Sequence, residues 1–126
     1  MMERLTSSNV AALQRRYFNF NDGVVRRVEL SFAHGVLERR LTVELLVQDD
    51  ESQDGWGSLR LEFRRVASCS LVEERSTNAV LSQGVVLVVE AQGVEVDFSP
   101  VHDEGVKSSF SVTAAELWFG AGQANP

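Results

Sequence analysis

The residues best suited to chemistry lie at 49–57, DDESQDGWG, where four of nine side chains are carboxylates. From Asp50 the order D-E-S-Q-D-G places oxygen-bearing side chains at positions 1, 3 and 5 and glycine at 6, the opening of an EF-hand-type calcium loop. Alternate side chains can converge on one cation while the glycine permits a sharp turn. Position 12 should then be a bidentate Glu, but Leu61 stands there and Glu62 follows one place late. Three or four side-chain oxygens also fall short of the roughly six to eight that calcium takes. The expectation is a wet hairpin loop, holding no metal, whose Asp, Ser and Gly residues satisfy their own backbone. Trp56 stands between two glycines in this loop. It either folds down over the end of the sheet, the favoured alternative, or stands out as an anchor for a partner, a role in which Trp is enriched.

Other candidates carry less. His34, in FAHGV, and His102, beside Asp103 and Glu104, both fall at predicted turns, and adjacent residues rarely converge on one point. Cys69 is the only cysteine and lies in the small, apolar setting VASCSLV, so a buried, inert thiol is expected. The chain contains no Walker-type loop, G-x-G-x-x-G, H-E-x-x-H, C-x-x-C or G-x-S-x-G. Carboxylate neighbours such as Glu73 and Glu74 face apart in a strand. No catalytic residue and no cofactor site is assigned.

Twelve basic residues against eighteen acidic ones give a formal net charge of −6. That sign opposes nucleic acids and anionic membranes, which demand clustered Lys and Arg. It suits a basic protein partner. The arginine pairs 15/16, 26/27, 39/40 and 64/65 are expected to split across the two faces of strands rather than form a patch. At 126 residues the chain reads as one domain, with a β-rich body over 1–119 and a small, polar, loose tail over 120–126. The longest apolar run, VVLVV at 85–89, is far short of the ~20 residues that span a bilayer. A single cysteine and no signal-like segment lead to a cytoplasmic expectation.

The elements that must position these groups show a period of two. Leu41, Val43, Leu45 and Val47 alternate with Arg40, Thr42, Glu44 and Gln48. Leu59, Leu61 and Phe63 oppose Arg60, Glu62 and Arg64; Val94, Val96 and Phe98 form another set. Val24, Val28, Leu30 and Phe32 are assigned together to an inner face, and Phe32, Phe63, Phe98 and Phe110 to the core. Such alternation marks antiparallel strands with one face on a core and one in water. GVVLVVEAQ is apolar on both faces and reads as a strand that is central or covered on both sides. Gly-Val occurs five times, in NDGVV, AHGVL, SQGVV, AQGVE and DEGVK, each restarting a strand after a turn; Asp22-Gly23 suits a type I′ hairpin turn best. SSNVAALQRRYF offers Ser8 or Asn9 as N-cap of a short helix, with Val10, Leu13 and Tyr17 at helical spacing; an N-terminal strand is the alternative. A last strand is expected from 109 to 119, bulged around Ala114. The fold class is all-β: an antiparallel meander of about six to eight strands forming a sandwich or a partly closed barrel.

Taken together, FNFNDGVVRRVELSF, WGSLRLEFRRV, VLSQGVVLVVEAQGVEVDFS and SSFSVTAAELWF resemble small, uncharacterised all-β proteins of bacteria, including immunity proteins of polymorphic toxin systems. The resemblance covers most of the chain and lies in strand patterning and turn placement. It implies a protein that binds one toxin domain and covers its site, without catalysis or cofactor, and it carries over no functional residue. The leading expectation is a non-enzymatic interaction module that meets a basic partner through Asp49, Asp50, Glu51, Asp54 and Trp56. The alternatives are a small-molecule-binding β-barrel, with Arg26 as its one inward polar group, and an accessory β-domain that forms a homodimer through an edge strand.

Overall fold

The computed structural model describes residues 2–32, 38–71, 80–81, 84–98 and 110–122, and structural statements refer to these. The chain runs β1 (Glu3–Arg4), α1 (Val10–Arg16), a 3-10 turn (Phe18–Phe20), β2 (Gly23–Ser31), β3 (Arg40–Gln48), β4 (Trp56–Leu71), β5 (Val80–Leu81), β6 (Val86–Glu90), β7 (Gly93–Asp97) and β8 (Phe110–Ala121). All eight strands join one antiparallel sheet in the order β5-β2-β3-β4-β8-β7-β6, with β1 also pairing β8. Two three-stranded meanders, β2-β3-β4 and β6-β7-β8, are thus fused where their last strands meet along the β4–β8 ladder. The all-β expectation holds.

The sheet is open but strongly curled. Its end strands, β5 and β6, are consecutive in the chain, and only residues 82–85 separate Leu81 from Val86. Five extended residue steps cover at most about 18 Å. The adjoining ends of the two edge strands therefore lie within that reach, and the sheet, which is not closed, fits a sandwich or a partly open barrel. Alternation fills that core from all sides: Val43, Leu45, Val47, Leu59, Leu61, Phe63, Val96 and Val112 are almost wholly buried. Phe98 packs edge-on against Phe63 and stacks on Phe110 at 4.4 Å.

The seam is stapled by Asn19. Its backbone oxygen accepts from Val85 N–H at 3.3 Å, and its Nδ2 donates to Val85 O at 3.1 Å. Asn19 sits in a left-handed turn, with Phe18, Asn19 and Phe20 at φ 53°, 53° and 61°. Gly84 approaches the same turn at φ 72°, and a Cβ there would lie 2.6 Å from Asn19 O. Asp22-Gly23 consequently follows this turn and opens β2; it is not the hairpin turn its type suggested.

α1 matches the helical spacing, burying Leu13 and the following Tyr17. Asn9 is its N-cap by position, but its side chain turns back: Oδ1 accepts from Thr6 N–H, and Nδ2 donates to Glu3 Oε2 and Arg4 O.

Several expectations are corrected. In β2 the register shifts between Val25 and Arg27, so Val25 and Val28, not Val24, pack on the core. Among the described residues β5 pairs only with Gly23 and Val24 and nothing pairs the rest of β2 on that side, with Leu30 exposed and Phe32 62% exposed. Arg26 is exposed and is no interior group for a ligand-binding barrel. The strand within GVVLVVEAQ, β6, is an edge strand: Leu87 and Val89 face the core, whereas Val86 and Val88 are exposed. The irregularity opposite Ala114 lies in β4, between Val66 and Ser68. β8 runs on to pair Gly120 and Ala121 with Arg60 and Leu59, past the expected boundary at Phe119. Cys69 is exposed: β3 pairs with β4 only as far as Arg64, and among the described residues no strand flanks the last part of β4 on that side.

The arginine pair 64/65 does not split. Phe63 and Val66 are both buried, as are their partners Leu117 and Ala114, so the inner set steps by three residues on both strands at one place. Arg65 takes φ 55° there. Both arginines then point outward, where Arg64 is paired with Arg40 across the ladder.

Candidate functional site

The acidic loop joins β3 to β4, as expected, and is tightly built. Asp49 N–H donates to Gly55 O, Ser52 N–H to Asp49 O, and Gly55 N–H to Ser52 O. Ser52 Oγ lies 2.7 Å from both Asp54 Oδ1 and Trp56 O, which share its single proton. Asp54 Oδ1 also accepts from Trp56 N–H at 3.3 Å. These are the self-satisfying contacts that Asp, Ser and Gly make in turns.

What the loop leans on is α1. Arg16, in its last turn, grips Asp49 through two hydrogen bonds, Nε to Oδ1 at 2.9 Å and Nη2 to Oδ2 at 3.2 Å. Asp50 N–H donates to Arg16 O, and Glu51 N–H donates to Asp49 Oδ1. A two-pronged guanidinium–carboxylate pair fixes orientation as well as distance. Gly57 keeps room for it, since a Cβ there would lie 3.1 Å from Asp49 Oδ2.

Charge follows geometry. The Arg16 hydrogen bond holds the Asp49 carboxyl below the usual carboxylate range, against the opposing effect of burial. Asp54 is lowered chiefly by the Ser52 hydroxyl and then by the Trp56 amide. Arg16 is raised by its bond to Asp49, and Tyr17 is raised by burial.

Of the five residues expected to meet a partner, four stand in solvent together: Asp50, Glu51, Asp54 and Trp56. Asp49 does not join them. It is 8% exposed and serves as the anchor of the loop. Trp56 opens β4 in register with Gln48, two and four places from the outward Ser58 and Arg60, so it lies on the outer face and does not cap the core. Its exposure is 41%. Arg16 is the functional residue that sequence reasoning missed. No local signal marks it, because its partner lies 33 positions away.

Among the described residues, no three His, Cys, Asp or Glu side chains are grouped to hold a metal. His34 and His102 lie outside the described residues. No described helix is long and apolar enough to cross a membrane. No family model matches the chain, and neither a curated protein nor a solved structure matches it.

Proposed function

We propose that the chain is a non-enzymatic interaction module that binds a basic protein through the 49–57 loop, with a toxin domain as the class of partner its patterning suggests. The observation that carries this reading is the state of Trp56. A large indole ring is held 41% exposed on a strand whose first residue has both its N–H and C=O fixed by Asp54 and Ser52. Asp50, Glu51 and Asp54 stand exposed in the same loop and carry negative charge, that of Glu51 lying 3.5 Å from Arg16. A rigid aromatic anchor loses little entropy on binding, and a charged rim steers a partner of opposite sign.

The test is a basic partner captured from the native host, then purified and titrated calorimetrically. Trp56→Ala should weaken binding by tenfold or more, as truncation of an interface anchor does. A D50A/E51A/D54A variant should lose most of the salt dependence. Both variants should unfold at close to the parent's denaturant midpoint, because the altered side chains are exposed. Binding that survives both sets of changes, or a failure to capture any partner, would overturn the reading.

A further inference from the structure

We infer that the outer face of the β3–β4–β8 ladder carries a second binding site, selective for a phosphate-type oxyanion and built from Arg40, Arg64 and Arg65. These three arginines line one cleft of about 250 Å³ together with Glu38 and Glu116. The volume suits a small polar group and is low for a drug-sized molecule. In a chain of net charge −6, the lining of this cleft carries three guanidinium groups against two carboxylates, with Glu62 shared between Arg40 and Arg64 beside it.

The fold makes this cluster by two devices. Arg40 and Arg64 are register partners on adjacent strands, which sets their side chains side by side. Arg65 joins them only because the backbone at φ 55° turns it to the same face as its neighbour. A left-handed conformation in a non-glycine residue persists only where the surroundings impose it. Trp118 then supports the cluster from the next strand: Arg64 Cζ lies 4.4 Å over its ring, and its indole N–H donates to Glu116 Oε1 at 2.9 Å.

The arginines are under-engaged. Arg40 Nη1 and Arg64 Nη2 each reach Glu62 at 3.3 Å, and Arg65 Nη2 reaches Glu116 at 3.6 Å. Good guanidinium–carboxylate bonds are shorter, about 2.7–2.9 Å. Arg64 Nε is buried without a hydrogen-bond partner. Each guanidinium carries about five N–H donors, so most remain to be used. Both Glu116 oxygens are occupied, one by Trp118 and one by Arg65, which weakens its opposition to an incoming anion. Three forks from three residues match the several oxygens of a phosphate better than the two of a carboxylate.

The probe is inorganic phosphate, titrated at constant ionic strength while the side-chain N–H signals of Arg64 and Trp118 are followed by NMR. Saturable shifts at millimolar phosphate are expected, with acetate at least tenfold weaker. Phenyl phosphate binding more tightly than inorganic phosphate would identify a phosphomonoester as the source; equal binding would identify free phosphate. Arg65→Gly is the decisive variant, because glycine accepts the kink without the guanidinium. It should fold as the parent does and bind phosphate at least tenfold more weakly, and R64K should behave similarly. Shifts that are linear in phosphate, matched by acetate or unchanged in R65G would overturn the assignment.

Discussion

Asp49 carries opposed demands. Its position at the end of β3 buries it, which penalises a charge, yet its carboxylate stays ionised because Arg16 meets both oxygens and the Glu51 amide adds a third contact. Removing the arginine should therefore cost more than an ordinary surface pair. Hydrogen bonds to charged groups contribute about 1.5–3 kcal/mol, a figure to be discounted because the Arg16 side chain is 40% exposed. Arg16→Ala is expected to lower unfolding free energy by about 1–2 kcal/mol in urea titrations; a change within about 0.3 kcal/mol would show that the pair is ornamental. The sequence announced the acidic loop but not this division of labour within it. DDESQDGWG reads as four equivalent carboxylates until the docking of α1 singles one out. Cys69 shows the converse: its apolar neighbours suggested burial, and only the uneven lengths of β3 and β4 reveal that nothing described covers it.

Strands were legible where alternation runs unbroken. β3 follows it for nine residues, and its inner and outer sets are as the sequence implies. Alternation misleads wherever one residue is inserted, because a bulge moves every later side chain to the other face. Val24 was misassigned for that reason, at the β2 irregularity, whereas the Arg64–Arg65 pair was misassigned because Arg65 takes φ 55° and the buried set steps by three on β4 and β8 together. Edge and centre cannot be read from composition either. β6 is as apolar as a central strand, yet it ends the sheet. The seam beside it depends on Gly84, which takes φ 72° and where a Cβ would lie 2.6 Å from the Asn19 carbonyl oxygen. Gly84→Ala should cost about 2 kcal/mol or more, the sum of a left-handed alanine and a displaced Asn19. Hydrogen exchange should locate the loss at the Val85 amide, which bonds to that turn. An alanine variant with unchanged Val85 protection would mean that the seam does not hold the two edges together.

For the molecule as a whole, acid titration brings two effects into competition. Lowering pH from neutrality reduces the net charge of −6, which relaxes self-repulsion and favours the compact state. The specific contacts act the other way. Asp49, Asp54 and Glu116 all have folded-state values below their ordinary ones, for Glu116 chiefly because of the Trp118 indole hydrogen bond. Between those lowered values and the ordinary carboxylate range near 4 the unfolded chain binds more protons than the folded one, so stability falls as pH falls. The charge effect dominates first, because it begins well above pH 4, where these three groups are ionised in both states. The local effect dominates below about pH 4, where the twelve basic residues also leave the protein with a growing positive charge. Melting temperature should accordingly be highest near about pH 5 and drop steeply below about pH 4. A D49N/E116Q variant should start less stable at pH 7 and lose less on acidification, since two of its three linked groups no longer titrate. If parent and variant fell in parallel between pH 5 and pH 3, acid sensitivity would belong to the general charge of the chain and not to the contacts that pin the loop and the β8 cluster.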